Sequence, residues 1–417
     1  MKKSGPGRLS IALLAAAFTA GISDTLLTVY LPLHLHRDFG EKNLLVIGMV
    51  IALPQLGLLV ASNLWGAAGD RWRRLKPLIV AGVVGYALML AALSLAHSSR
   101  AALVIVLCGS LFYAAYRPGA LSYVTLRDPE RKGHAVAGLM RAQSMGWFLG
   151  NLGFGALMTR WGAGGVRVAL LVAAGVGLVS ALLVWLRLPE ISPGGAQAGA
   201  RTGFRPVGFL EDLAGVYRTP ALRWLAIVWF FTTAGRWNFY NFFPLLLTDF
   251  MHGSVTLVSQ ASAWSAFAGV ALFSVAGHWV DRSGPRSVLR AAVIGYLVYF
   301  ALNVILVRLY PSAHLPWVSL VAAGLFMIPI YPAFVVAGNA WVAGVVRAEQ
   351  RSGGMGAMGG VEAAGALGGT LLGGSLASRF GLAVTPLTST LLALTALFAL
   401  SWLGVYVARH PDRNSAV

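Results

Sequence analysis

The sequence predicts an all-α membrane protein built as two pseudo-symmetric six-helix bundles around a central cavity. Three observations lead there: the composition cannot solvate a globule, apolar runs of membrane-spanning length recur along the chain, and its second half repeats its first. Of 417 residues, 57% are hydrophobic and only 11% charged, with a mean hydropathy of +0.72. A soluble domain carries roughly 25% charged residues to cover its surface. The 50 glycines suit helices that pack backbone to backbone in lipid, where association has no hydrophobic drive. With Cys108 as the single cysteine, an intrachain disulfide is excluded.

Runs near the ~20 residues needed to cross a bilayer fall at 9–33, 44–67, 77–97, 101–124, 134–158, 167–187, 221–247, 255–280, 287–308, 315–340, 353–377 and 382–407. The first follows Lys2 and Lys3 but, at about 25 residues, is too long for a signal peptide. It also holds Asp24, so an uncleaved span is expected. The fourth run is interrupted by Arg117-Pro118 and the fifth carries Arg141. The longest connection, 188–220, divides an N-terminal half (1–187) from a C-terminal half (221–417). Its middle, 192–202, is Gly/Ala-rich as in a flexible linker. Further on, Phe209, Leu210, Leu213, Val216 and Tyr217 share one helical face, which predicts a short amphipathic helix on the membrane surface.

The net charge of +18 is not a nucleic-acid signature, because the basic residues come in small clusters between apolar runs. With the amino terminus inside, the inside connections hold 22 Lys and Arg and the outside connections 7. That asymmetry puts both termini in the cytoplasm of a plasma (inner) membrane protein.

The repeat is the most informative feature. Gly66, Asp70, Arg71 and Arg74 follow span 2, and Gly277, Asp281, Arg282 and Arg286 follow span 8, an offset of 211 for the first three pairs. Leu31-Pro32-Leu33 matches Phe243-Pro244-Leu245 at 212, and Gly146-x-x-x-Gly150 matches Gly365-x-x-x-Gly369 at 219. Two repeated six-helix halves are the plan of many carriers, with the binding site at mid-membrane between them.

On these residues the chain resembles the major facilitator superfamily over essentially its whole length. The repeated Gly-Asp-Arg set is similar to that superfamily's cytoplasmic loop signature, which implies a gate latching the halves on that side. Its glycine allows close helix approach, and its carboxylate can accept hydrogen bonds from a neighbouring helix start.

Five ionisable residues fall inside spans: Asp24, Arg117, Arg141, Arg236 and Glu362. Each costs at least ~2.5–3.5 kcal/mol at the bilayer centre, so each is expected to be paired, cavity-facing or functional. The offset of 212 maps Asp24 onto Arg236, and an ion pair between them is expected when the halves close. Arg117, Arg141 and Glu362 share a second level nearer the cytoplasm. Arg117 and Asp24 resemble groups of the superfamily's proton-coupled drug exporters, which implies proton coupling at Asp24. The glycine-rich run 146–155 resembles the fifth-helix motif of its antiporters, with Asn151 where that motif has proline. Tyr113, Tyr116, Trp237, Asn238, Tyr240 and Asn241 are expected to line the cavity, aromatic faces with a few amides suiting a ring-bearing or amphiphilic solute.

The chain shows no phosphate-binding loop, no metal-ligand spacing and no nucleophile–base arrangement, so an enzyme is not expected. Neither cofactor nor metal is called for. The expectation is proton-coupled export of small apolar or amphiphilic compounds by a monomer, with a small-molecule substrate, protons and membrane lipid as partners. The alternative is a carrier of organic anions or sugars, for uptake or exchange. A non-transporting receptor on the same fold is a third possibility.

Overall fold

A computed structural model describes residues 10–72, 74–127, 132–191, 220–313, 316–326, 328–345 and 351–409. The expected linker (192–202) and amphipathic helix (209–217) lie outside the described residues, as do Lys2 and Lys3.

Twelve helical rods are found at the positions of the twelve apolar runs. They are α1 (Ile11–Arg37), α2 (Leu44–Trp72), α3 (Lys76–Ser94), α4 (Ser99–Arg127), α5 (Lys132–Trp161), α6 (Ala163–Arg187), α7 (Pro220–Tyr240, continued to Phe250), α8 (Val255–Ser283), α9 (Pro285–Ala313), α10 (Pro316–Phe326 and Tyr331–Val345), α11 (Arg351–Phe380) and α12 (Val384–Arg409). The Arg117-Pro118 interruption does not break α4, which runs through Pro118 as one helix of 29 residues. Among the described residues nine of these rods are long and apolar enough to cross a membrane. The three that fall short, α5, α7 and α11, carry Arg141, Arg236 and Glu362, and α5 and α11 form the seams between the halves.

The repeated Leu-Pro-Leu and Phe-Pro-Leu sequences mark where the rods deform. A proline lacks the N–H its helix needs four residues back, and such sites take up the strain locally. Before Pro32, α1 opens into a π turn at Leu26–Tyr30, directly after Asp24. Before Pro244, α7 breaks into a turn at Asn241 and Phe242.

Packing repeats along with the sequence. In the first half α1 lies on α5 and α6, α2 on α4, and α3 on α4 and α6; in the second α7 lies on α11 and α12, α8 on α10, and α9 on α10 and α12. The two halves meet along two equivalent seams, α2 against α11 and α5 against α8. The glycine pairs read from the repeat play matching parts. A methyl group at Gly146 would overlap the Phe18 carbonyl of α1, and one at its equivalent Gly365 the Phe230 carbonyl of α7; one at Gly369 would overlap the Ala234 carbonyl of α7.

Among the described residues the polar contacts that join the seams lie at the end away from the Gly-Asp-Arg signature. There Arg37 Nη2 contacts Asp249 Oδ1 at 2.7 Å, and His36 Nε2 contacts Asp249 Oδ2 at 3.3 Å. Arg37 and Asp249 are themselves 212 residues apart, so they are repeat equivalents paired across the pseudo-twofold axis. The backbone N–H of Leu45 donates to Ser378 Oγ at 2.8 Å, and Ser378 Oγ to Asn43 Oδ1 at 3.0 Å. On the other seam Ser259 Oγ donates to the Asn151 carbonyl at 2.6 Å, which also accepts from Tyr30 at 2.8 Å.

At the opposite end the signature lies on helix termini, not in loops. Gly66, Asp70 and Arg71 belong to the last turns of α2, and Gly277, Asp281 and Arg282 to those of α8; the side chains of Asp70 and Arg71 lie outside the described residues. Arg74, Asp281, Arg282 and Arg286 are exposed. The close approach expected at Gly277 is absent, with no atom of another element within 4 Å of where its Cβ would stand. Arg286 reaches α12, its Nη2 lying where a methyl group on Gly404 would be. Among the described residues the halves are joined at the Arg37–Asp249 end, and the describable signature side chains at the other end are exposed.

Two predictions test this packing. Gly369→Ala, meeting backbone, destabilises the detergent-purified protein by about 1–3 kcal/mol, whereas Gly277→Ala, meeting open space, leaves the thermal midpoint unchanged or slightly raised. In a Cys108→Ser background, Asn43→Cys and Ser378→Cys cross-link readily; Asp249→Arg slows that cross-linking, and adding Arg37→Asp restores it. Pairs this exposed are worth under about 1 kcal/mol each, so the latch is weak enough to reopen.

Candidate functional site

The ionisable residues inside the spans gather into two clusters that repeat each other. In the first half Asp24 of α1 accepts from Tyr86 of α3 at 3.1 Å, Tyr113 of α4 at 3.2 Å and Gln143 of α5 at 2.9 Å. The Tyr86 and Tyr113 rings stack at 4.4 Å. Together with Thr19, Ser23 and Tyr116 they line a pocket with room for about one water molecule.

In the second half Arg236 of α7 faces Glu362 of α11, Nη2 to Oε1 3.5 Å. Tyr331 of α10 donates to the same Oε1 at 3.3 Å. The Arg236 guanidinium lies 4.2 Å from the Tyr331 ring centre and 5.1 Å from that of Trp237, within cation–π range. Arg236 is only 7% exposed, and its Nε has no hydrogen-bond partner.

These contacts are the repeat made physical. Asp24 maps onto Arg236 and Gln143 onto Glu362, so each half sets one α1- or α7-type residue against one α5- or α11-type residue. The first pair places its acid on α1 and its neutral amide on α5. The second places a cation on α7 and the acid on α11. The pair expected between Asp24 and Arg236 is not formed: each finds its partner inside its own half, where the α1–α5 and α7–α11 contacts are backbone-close.

Arg117 supplies the link between the clusters. It belongs to α4, yet it lies in the electrostatic field of Glu362 of the other half as well as that of Asp24 in its own. Two acids and two arginines thus share the centre of the molecule: Asp24, Arg117, Glu362 and Arg236. Arg141 does not join them; it is exposed on α5, and among the described residues it is in no ion pair.

The aromatic and amide residues divide differently from the expectation. Tyr113 and Tyr116 face the first cluster and Trp237 the second. Tyr240 packs into an aromatic group with Tyr299 and Phe326. The two amides serve as staples between helices. Asn238 Nδ2 donates to the Thr385 carbonyl, Thr388 Oγ1 and Ser389 Oγ of α12 at 2.7–2.9 Å, and Asn241 Nδ2 donates to Thr370 of α11 at 2.7 Å. A buried amide must find such partners, and here the neighbouring helices supply them in place of the cavity.

Three members of the site were not among the sequence candidates: Tyr86, Tyr331 and Gln143. The repeat held a signal for two of them: Gln143 precedes Glu362 by 219 residues, and Tyr331 follows Arg117 by 214, in the sequence Pro329-Ile-Tyr-Pro332 that punctuates an apolar run.

Comparison with known proteins agrees with this architecture. The family model described as Major Facilitator Superfamily matches residues 13–334 and 225–416. A maltose permease of Geobacillus stearothermophilus is 25% identical over 289 residues, 68% of each chain. A gallate transporter of Pseudomonas putida is 26% identical over 395 residues, covering 88% of this chain and 84% of that one. Among solved structures, a mutant of the nucleoside transporter NupG superposes with a TM-score of 0.75 at 15% identity, over 95% of this chain and 100% of its own. A bacterial homologue of the human lysosomal transporter Spinster, inward-facing and unoccupied, gives 0.59 at 18% identity, over 97% and 96%. The chain belongs to the Major Facilitator Superfamily and is an integral membrane transporter.

Proposed function

We propose that this transporter takes up an organic anion, an aromatic or hydroxylated carboxylate, together with a proton. The observation that carries the reading is the buried Arg236 held 3.5 Å from the carboxylate of Glu362, with Arg117 of the other half in the electrostatic field of that carboxylate. A proton on Glu362 removes the negative charge these arginines share and leaves them free for an incoming carboxylate, which arginine recognises through charge-assisted hydrogen bonds. Empty, the set of two acids and two arginines is neutral; with one proton and one anion bound it is neutral again. Such a cycle moves no uncompensated charge through the low-dielectric interior. The tyrosines and Trp237 offer ring faces for an aromatic or hydroxylated body.

With the basic connections in the cytoplasm, the sealed Arg37–Asp249 end faces outward and the open signature end inward. The conformation described is then the inward-facing one, and the exposed Asp281, Arg282 and Arg286 form a cytoplasmic gate in its open state. Alternation closes that gate and parts Arg37 from Asp249. Asp24, held by three donors within its own half, is a second candidate for the coupling proton. One chain contains the whole site, and the proposal is for a monomer.

The two curated relatives are by name a maltose permease and a gallate transporter, and they favour the carrier alternative over the apolar-drug exporter suggested by Asp24 and Arg117. A sugar is the second reading, on the maltose permease and on the Trp237 and tyrosine faces.

Proteoliposomes holding an internal pH dye test this. External gallate acidifies the lumen, and Arg236→Gln lowers the initial rate about tenfold or more, as loss of a charged hydrogen bond worth ~1.5–3 kcal/mol requires. Uptake of labelled maltose, with no response to gallate, would establish the sugar reading instead. A response to lipophilic cations alone would restore the exporter.

A further inference from the structure

Among the described residues α10 has the longest non-helical interruption within a rod. Its described segments end at Phe326 and begin again at Tyr331, and between them Ile328, Pro329 and Ile330 are non-helical. Non-helical backbone at membrane depth is tolerated only where protein buries it or it lines a cavity.

We infer that this break is an anion subsite, in which the first turn of Tyr331–Val345 and the guanidinium of Arg236 together hold the carboxylate of the transported solute. The inference rests on the organic-anion reading above and assigns the place where the negative group docks.

The restarted segment is 15 residues long, so its dipole is developed and its first-turn N–H groups have no partner within the helix. Helix starts of this kind bind anions, and within a membrane a discontinuous helix turns that end toward the substrate's charged group. Pro332 contributes no N–H, leaving those of Tyr331 and Ala333 as the donors. Arg236 supplies the independent observation. It is 93% buried by its 7% exposure and stacks on the ring of Tyr331, the first residue of the segment. Its Nε is left without a partner. A buried guanidinium donor with nothing to donate to is costly, and an oxyanion at the break would accept from it and from the helix start at once. Glu362, which accepts from Tyr331 and faces Arg236, occupies the acceptor position until it is protonated.

The test compares gallate with its uncharged methyl ester on the full-length purified protein. In wild type, gallate slows amide hydrogen exchange at Tyr331 and Ala333 severalfold and the ester does not, and gallate binds about tenfold more tightly than the ester. Pro329→Ala with Pro332→Ala, which heals α10, reduces that preference below about threefold while leaving the Kd of the ester unchanged. Gallate binding tightly without protecting Tyr331 and Ala333, or a folded double variant that keeps the full preference, overturns the subsite and leaves the anion reading intact. Wild type that does not distinguish gallate from its ester overturns both. The exchange measurement needs no variant, so it decides the matter even if the healed helix fails to fold.

Discussion

The charges at the centre of the bundle govern the rest of this structure. An ion deep in a bilayer is costly, yet this chain places two acids and two arginines there. They persist because each is answered: Asp24 by two tyrosines and a glutamine, Glu362 by Arg236, Tyr331 and the field of Arg117. A buried set of this kind is weak evidence for stability, since desolvation offsets most of the Coulomb gain. In the proposed cycle its value lies in sensitivity, since adding a proton or a carboxylate to a balanced set changes what the halves can hold between them.

Duplication sets where that sensitivity is read out. Each half is internally tight, with α1 on α5 and α7 on α11 at backbone distance through Gly146 and Gly369. The halves themselves meet along two seams, α2 on α11 and α5 on α8, as extensively packed as the helices within each half, and the ion pair that spans them at one end, Arg37–Asp249, is partly exposed. Two repeated bodies meeting along such seams are what rocking between two states needs. Arg117 belongs to one body and Glu362, in whose field it lies, to the other, so in the proposed cycle a proton on Glu362 bears on that interface.

Much of this was legible in the sequence. The span count, the six-and-six division and the repeat followed from hydropathy and from three motif matches. Even the weakly apolar spans 5, 7 and 11 were found, although their polarity takes them below a simple hydropathy threshold. The five intramembrane charges were also found, because a rare residue type in a long apolar run is conspicuous. The pair expected between Asp24 and Arg236 on closing of the halves is not formed in the conformation described, where each meets a neighbour on its own half. Asn238 and Asn241 misled, since a polar residue at mid-membrane can satisfy a neighbouring helix as well as a cavity. Tyr86 and Tyr331 stayed hidden because tyrosine is common in such spans and only the fold shows which hydroxyls reach a carboxylate.

In the proposed cycle Glu362 holds Arg236 and Arg117 in reserve for a substrate carboxylate. Glu362→Gln keeps the side-chain shape and removes the charge, so equilibrium binding of gallate to this variant at neutral pH tests it most directly. The account predicts that the variant binds gallate more tightly than wild type, by about threefold or more, with an affinity that no longer responds to pH at this site. Weakened or absent binding in a folded variant would mean that Glu362 itself holds the substrate or the fold, and would contradict the claim.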